Sequence, residues 1–123
     1  MRENNNHDIN FCPVCGFVSE GEPYYKNVIA GRYNPNEAVI CPCCGYQPGV
    51  TDIDKGYSFK DWRHKWVNSG AQWGTIFAPA SKDWNAKDQL KSIGVILDDN
   101  NHIIKESEDP EWHWVPTDEE RGV

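Results

Sequence analysis

Residues 12–17 read Cys-Pro-Val-Cys-Gly-Phe and residues 41–46 read Cys-Pro-Cys-Cys-Gly-Tyr, so Cys12, Cys15, Cys41 and Cys44 hold equivalent places in a repeated frame. A Cys-x-x-Cys turn brings two thiolates to one side of a cation, and two such turns complete a tetrahedron with zinc–sulfur distances of about 2.3 Å. Pro13 and Pro42 fix φ after each first cysteine, and Gly16 and Gly45 supply the positive φ that turns backbone N–H groups back toward sulfur. Twenty-five residues separate the two pairs, so one ion would pin two distant loops together. The spacing predicts a tetrathiolate zinc site on Cys12, Cys15, Cys41 and Cys44. Iron is the rival ion, because tetrahedral sulfur suits both metals. Four reduced thiols acting as small buried hydrophobes is the plainer reading, but it leaves the matched frames unexplained.

Cys43 lies inside the second turn, where its side chain should point away from an ion held by Cys41 and Cys44. It is read as a non-ligand, and no neighbouring Lys, Arg or His argues for an activated thiol. Binding of a structural zinc contributes about 10–16 kcal/mol in peptides, comparable with the net stability of a whole domain, about 5–15 kcal/mol. Metal loss is therefore expected to unfold the first half of the chain. A closed four-cysteine site leaves no position for water or substrate, which argues against metal-assisted hydrolysis. No enzyme is expected.

The chain of 123 residues has room for one domain, with only 38% hydrophobic residues but six Trp, five Tyr and four Phe to supply a ring-rich core. Residues 1–10 are Asn-rich and polar and are expected to be flexible. They contain nothing like a signal peptide, and no run approaches a membrane span. Paired Cys-x-x-Cys motifs and an odd cysteine count also fit a reducing compartment, so a cytoplasmic location is expected.

Residues 11–50 read as the metal-binding lobe. Tyr24, Tyr25, Gly31, Tyr33 and Pro35 suggest an irregular loop between the cysteine pairs, and Ala38–Ile40 a short strand entering the second turn. No helix is expected before residue 58. Residues 51–123 form the helical and hairpin portion. Ser58 is an N-cap with Asp61 three residues on, and Phe59, Trp62, Trp66 and Val67 recur at helical steps, predicting a helix over 59–69 stopped by Gly70. Lys60, Arg63, His64 and Lys65 fall on its wet side. A shorter helix over 86–92 follows the cap Asn85 and ends at Gly94. Val95–Leu97, a polar turn at 98–101 and Ile103–Ile104 predict a hairpin over 95–105. Residues 110–123 read as irregular, with Trp112 and Trp114 on one face of an extended segment. The fold class is therefore a small α+β protein with a zinc-ribbon or rubredoxin-like metal lobe.

Two resemblances follow from these residues. CPVCGF and CPCCGY look like the paired turns of rubredoxins, which are acidic iron electron carriers, but that likeness covers about a dozen residues. Over residues 11–94 the order CPVCG, AVICPCCGYQPG, GYSFKDWRHKWVNSGAQW and DWNAKDQLKSIG resembles the bacterial cysteine-rich CPCC family. That resemblance implies zinc on the same four cysteines and supplies no activity. Residues from 95 onward fall outside it.

Charge bears on partners. From Asp98 to Arg121 nine acidic residues face two basic ones, which accounts for the whole net charge of −7, and the first 97 residues balance. Such an end disfavours phosphate backbones and suits a protein with a basic surface; a solvated tail that aids solubility is the plainer alternative. The preferred reading is a protein-interaction module, one form of which is an immunity or antitoxin-like protein that blocks a toxin. An iron electron carrier and a nucleic-acid-binding zinc ribbon are the alternatives; Lys55, Lys60, Arg63 and Lys65 interleave with aromatics in favour of the latter, and the acidic end opposes it. His64 and His113 stand in no frame with a nucleophile. Trp62, Trp66 and Trp73 are read as core rather than as a stacking platform.

Overall fold

Tyr, Val and Ile suit a pleated, half-buried surface, and the stretch Tyr25–Ile29 is a strand, β1, paired antiparallel with β2, Arg32–Pro35, in the computed structural model. The structure describes residues 8–29, 32–75, 80–113 and 115–121. The hairpin replaces the irregular loop expected here. Its support comes from distant chain: the Ile9 N–H donates to the Tyr25 carbonyl and the Tyr24 N–H to the Ile9 carbonyl, both at 2.8 Å. Tyr24 and Tyr25 are buried, and their burial holds extended backbone against the turn signals nearby. The register shifts between Lys26 and Ile29, where Asn27 takes a φ of 56°. Asp8–Asn10 is thus tied into the fold rather than loose, while residues 1–7 lie outside the described residues.

Ala38–Ile40 is not a strand. The Val39 N–H turns back to the Asn36 carbonyl at 3.1 Å, and Ile40 is left 57% exposed. The expectation of no helix before residue 58 also fails, at a π-helical turn over Val50–Asp54. Gly49 enters it with a φ of 87°, and the Asp52 carboxylate accepts the Gly49 N–H at 2.7 Å. These side-chain bonds to backbone fix a turn that has no hydrophobic period to announce it.

Helix α1, Phe59–Asn68, starts on Ser58, whose hydroxyl accepts the Asp61 N–H at 3.0 Å, and stops at Gly70, where φ is 108°. Helix α2, Ala86–Lys91, starts on Asn85, whose side chain accepts the Asp88 N–H at 3.0 Å. Strands β3, Ile96–Leu97, and β4, Ile103–Lys105, form the expected hairpin, turned by the Asp98 carboxylate accepting from the Asn100 and His102 amides. The C-terminal stretch adds a short helix, α3, Asp118–Arg121, where irregular chain was expected. Thr117 and Glu120 form its capping box: the Thr117 N–H donates to Glu120 Oε1 and the Glu120 N–H to Thr117 Oγ1. The result is a small α+β fold with two antiparallel hairpins around a cysteine cluster.

Phe59 is the hub of the ring-rich core. It lies edge-on to Tyr25, Tyr46 and Trp112 at centroid distances of 5.6–5.8 Å and stacks flat on His113 at 3.6 Å. Trp66, Val67, Leu90, Val95 and Leu97 continue the core toward α2 and β3. Trp112 packs against it as expected, whereas its intended companion Trp114 lies outside the described residues.

Candidate metal centre

Each cysteine turn closes in the same way. The Gly16 N–H donates to the Cys12 carbonyl at 2.8 Å and the Gly45 N–H to the Cys41 carbonyl at 2.9 Å. The Cys12 N–H then reaches the Phe17 carbonyl at 2.7 Å and the Cys41 N–H the Tyr46 carbonyl at 2.9 Å. The glycine amides therefore serve a carbonyl rather than sulfur, and the φ values of 88° and 81° make that closure possible. Gly16 has a second constraint: a Cβ there would stand 2.7 Å from the Gln89 carbonyl oxygen of α2.

The two turns face each other, and the sulfurs of Cys12, Cys15, Cys41 and Cys44 all lie within 4.8 Å of one another. Cys12 Sγ is 3.6 Å from Cys44 Sγ and Cys15 Sγ is 3.6 Å from Cys41 Sγ. A disulfide requires about 2.05 Å, whereas a tetrahedron with 2.3 Å bonds has edges of about 3.8 Å. The spacing is therefore close to that of four sulfur ligands around one tetrahedral ion. The donor set fits a tetrahedral thiophilic ion, and these four residues come together in a site able to hold one metal ion.

Without a cation the four groups cannot all ionise. Burial pushes the Cys15 and Cys44 thiols up, while hydrogen bonds from Cys12, Cys15 and Cys44 hold Cys41 low. A bound dication reverses this balance, because every ligand must be a thiolate and metal binding releases protons.

The walls of the site come from the second half of the chain. Arg63, only 5% exposed, donates from Nε to the Val14 carbonyl and from Nη2 to the Pro13 carbonyl, both at 2.7 Å. Its neighbour Trp62 donates from Nε1 to the Cys44 carbonyl at 3.0 Å. Consecutive residues of α1 thus hold one turn each. Gln89 of α2 donates to the Cys15 carbonyl at 3.1 Å and to Cys43 Sγ at 3.3 Å, and the Gly74 N–H donates to the Pro42 carbonyl at 3.2 Å. Cys43 is fully buried against Gln89 and stands outside the four-sulfur group.

The placement of Arg63 corrects the expectation that it lies on the wet face. A signal was present: Arg63 is four residues after Phe59 and four before Val67, at the centre of the apolar stripe. Its third donor, Nη1, meets Glu106 Oε1 at 2.6 Å, and Glu106 also pairs with His64. Burial opposes the charge on Glu106, but His64 and Arg63 outweigh it and hold the carboxyl below its ordinary value. Asp109 accepts the Phe59 and Lys60 amides at 3.0 and 3.1 Å at the start of α1, and Lys60 pairs with Glu108 at 3.1 Å. The acidic stretch therefore folds over the basic face of the helix.

A second buried polar cluster was not foreseen. Asp52 Oδ2 accepts from Tyr25 at 2.6 Å and meets His113 Nε2 at 2.9 Å, and His113 Nδ1 lies 3.6 Å from Asp109 Oδ2. Burial alone would lower the His113 pKa, but the Asp109 and Asp52 carboxylates outweigh it and raise it above the ordinary histidine value. Burial opposes ionisation of both acids as well, and contact with His113 still brings them below the usual range. The His113 side chain has no solvent exposure, so it serves packing rather than proton transfer to a substrate. Trp62 and Trp66 pack on the metal turns or the core, and Trp73 packs edge-on to Phe17 and Trp84.

No family model matches the chain, and no curated protein or solved structure matches it. Among the described residues no helix is long and apolar enough to cross a membrane.

Proposed function

We propose that the chain is a zinc-stapled protein-interaction module of the cytoplasm, a member of the cysteine-rich CPCC family, and that its partner presents a basic surface. The observation that carries the structural role of the metal is closure. All four sulfurs are buried, and the surrounding carbonyls of Cys12, Pro13, Val14, Cys15, Cys41, Pro42 and Cys44 each accept a hydrogen bond from the protein. An ion held there has no exchangeable position, so the site is not built for metal-assisted hydrolysis.

Net charge supports the partner class. At −7 the chain repels phosphate backbones and attracts cationic surfaces. Glu106 and Asp109 are engaged internally, but Asp99, Glu111, Glu119 and Glu120 remain exposed. A toxin whose nucleic-acid groove is basic is one partner of this kind. Metal analysis of freshly purified protein tests the first part: one zinc per chain in a colourless protein is expected, and a red, iron-loaded protein would establish the electron-carrier alternative. The second part predicts a co-purifying protein whose association rate falls steeply with added salt. An association rate indifferent to salt would overturn it.

A further inference from the structure

A groove of about 340 Å³ runs beside the first cysteine turn, with Ile9, Phe11, Ile93, Val95, Pro110 and Trp112 among its lining residues. Its size lies at the lower end of sites that enclose a small ligand, about 300–1,000 Å³. Phe11, although it lines this apolar bed, stays 40% exposed.

The charges around the bed are one-sided. Arg63 is the single cation among the described lining residues, and it is committed to Glu106 and to the Pro13 and Val14 carbonyls. Glu108 and Asp109 also line the groove. Asp109 is spoken for by the start of α1, but the Glu108 side chain is 86% exposed and, among the described residues, pairs with Lys60 at 3.1 Å. Exposed pairs of that kind contribute little and exchange readily. An apolar bed with an acidic, exchangeable edge selects for an apolar group joined to a cation.

We propose that this groove docks an apolar side chain of the partner protein lying next to a lysine or arginine: the apolar group fills the bed, and the cation takes Glu108 in place of Lys60. The proposal rests on the interaction-module reading and names its surface.

Two probes with the same branched tail and opposite heads test it, 3-methylbutylammonium and 4-methylpentanoate, titrated into metal-loaded protein while amide NMR shifts are followed. The ammonium probe is expected to shift Phe11, Val95 and Ser107 saturably, with a millimolar dissociation constant suited to so small a ligand. The carboxylate probe should bind about five-fold more weakly, and Glu108→Gln should remove most of that difference. Ser107→Trp, which fills the groove from its exposed wall, should abolish both. No saturable shift at these amides, or equal affinity for the two heads in the unmodified protein, overturns the proposal. Retention of a salt-sensitive partner by Ser107→Trp sinks the groove and spares the module; probe binding without any such partner spares the groove as a cation-selective site and sinks the module.

Discussion

Arg63 on helix α1 donates from Nε to the carbonyl of Val14, inside the first cysteine turn, at 2.7 Å. With the bond to Pro13 and the pair with Glu106, all three faces of the guanidinium are used. One side chain therefore joins the metal centre, the central helix and the acidic stretch, 49 residues apart in sequence at the Val14 contact.

Removal of that side chain should be costly. The Arg63 and Glu106 side chains are only 7% and 9% exposed, so Arg63→Met leaves two carbonyls unpaired and a nearly buried carboxylate with His64 alone. Breaking a buried pair costs about 3–5 kcal/mol, and urea unfolding of the metal-loaded variant should show a loss of that order. Arg63→Lys cannot satisfy the same fork of acceptors and should recover only part of it. A double variant with Glu106→Leu should be more stable than Arg63→Met alone.

The two knuckle glycines should differ on substitution. At Gly45 nothing among the described residues crowds a Cβ, so Gly45→Ala meets only the left-handed backbone penalty of about 1–2 kcal/mol. At Gly16 the same penalty applies, and the Gln89 carbonyl stands 2.7 Å from the added carbon, so α2 must move. Gly16→Ala is expected to be the more destabilised protein in thermal unfolding and the quicker to surrender metal to a chelator.

Metal stoichiometry should separate the five cysteines. Serine at position 12, 15, 41 or 44 should lower bound metal well below one per chain and leave the protein unfolded or nearly so, because metal binding of about 10–16 kcal/mol exceeds most domain stabilities. Cys43→Ser should keep one ion per chain. Retention of shape in excess chelator by the unmodified protein would refute the metal staple.

The buried ion pairs of His113 and Glu106 should contribute most in mildly acidic solution. His113 has a raised pKa in the fold, so its contribution is complete below the unfolded value of about 6.5 and is lost as pH rises through the folded value. Asp52, Asp109 and Glu106 have lowered pKa values, so their contribution is complete above the unfolded values of about 4 and is lost as pH falls through the folded ones. His113 faces Asp52, Asp109, Tyr25 and Tyr46, so its deprotonation leaves two carboxylates beside a neutral ring. Because the thiolate ligands make metal-loaded protein gain stability as pH rises, the His113 contribution is read as a difference: the gap in urea midpoint between the unmodified protein and His113→Gln should be widest below about pH 6.5 and narrow as pH rises above it. A gap that stays constant with pH would remove His113 from this role.

Much of the second half of the chain was legible because its signals are local. Ser58, Gly70, Asn85 and Gly94 cap or stop helices through bonds within a few residues, and the Asp98 turn does the same for the second hairpin. The first hairpin was not legible, since its strands are held by Ile9, which is distant in sequence. Ala38–Ile40 shows the converse: an apolar run with no strand to pair with stays irregular and partly exposed.

By itself the sequence determined which four sulfurs meet, because matched Cys-Pro-x-Cys-Gly frames encode the turn geometry within six residues each and present four donors that one ion could join. Only the tertiary structure decided what encloses them. The bonds from Arg63, Trp62 and Gln89 to the turn carbonyls, and the burial of His113 between Asp52 and Asp109, join residues whose separation along the chain carries no periodic or motif signal. They form because buried carbonyls and carboxylates must find donors once water is excluded, and the packed fold alone fixes which donors are in reach.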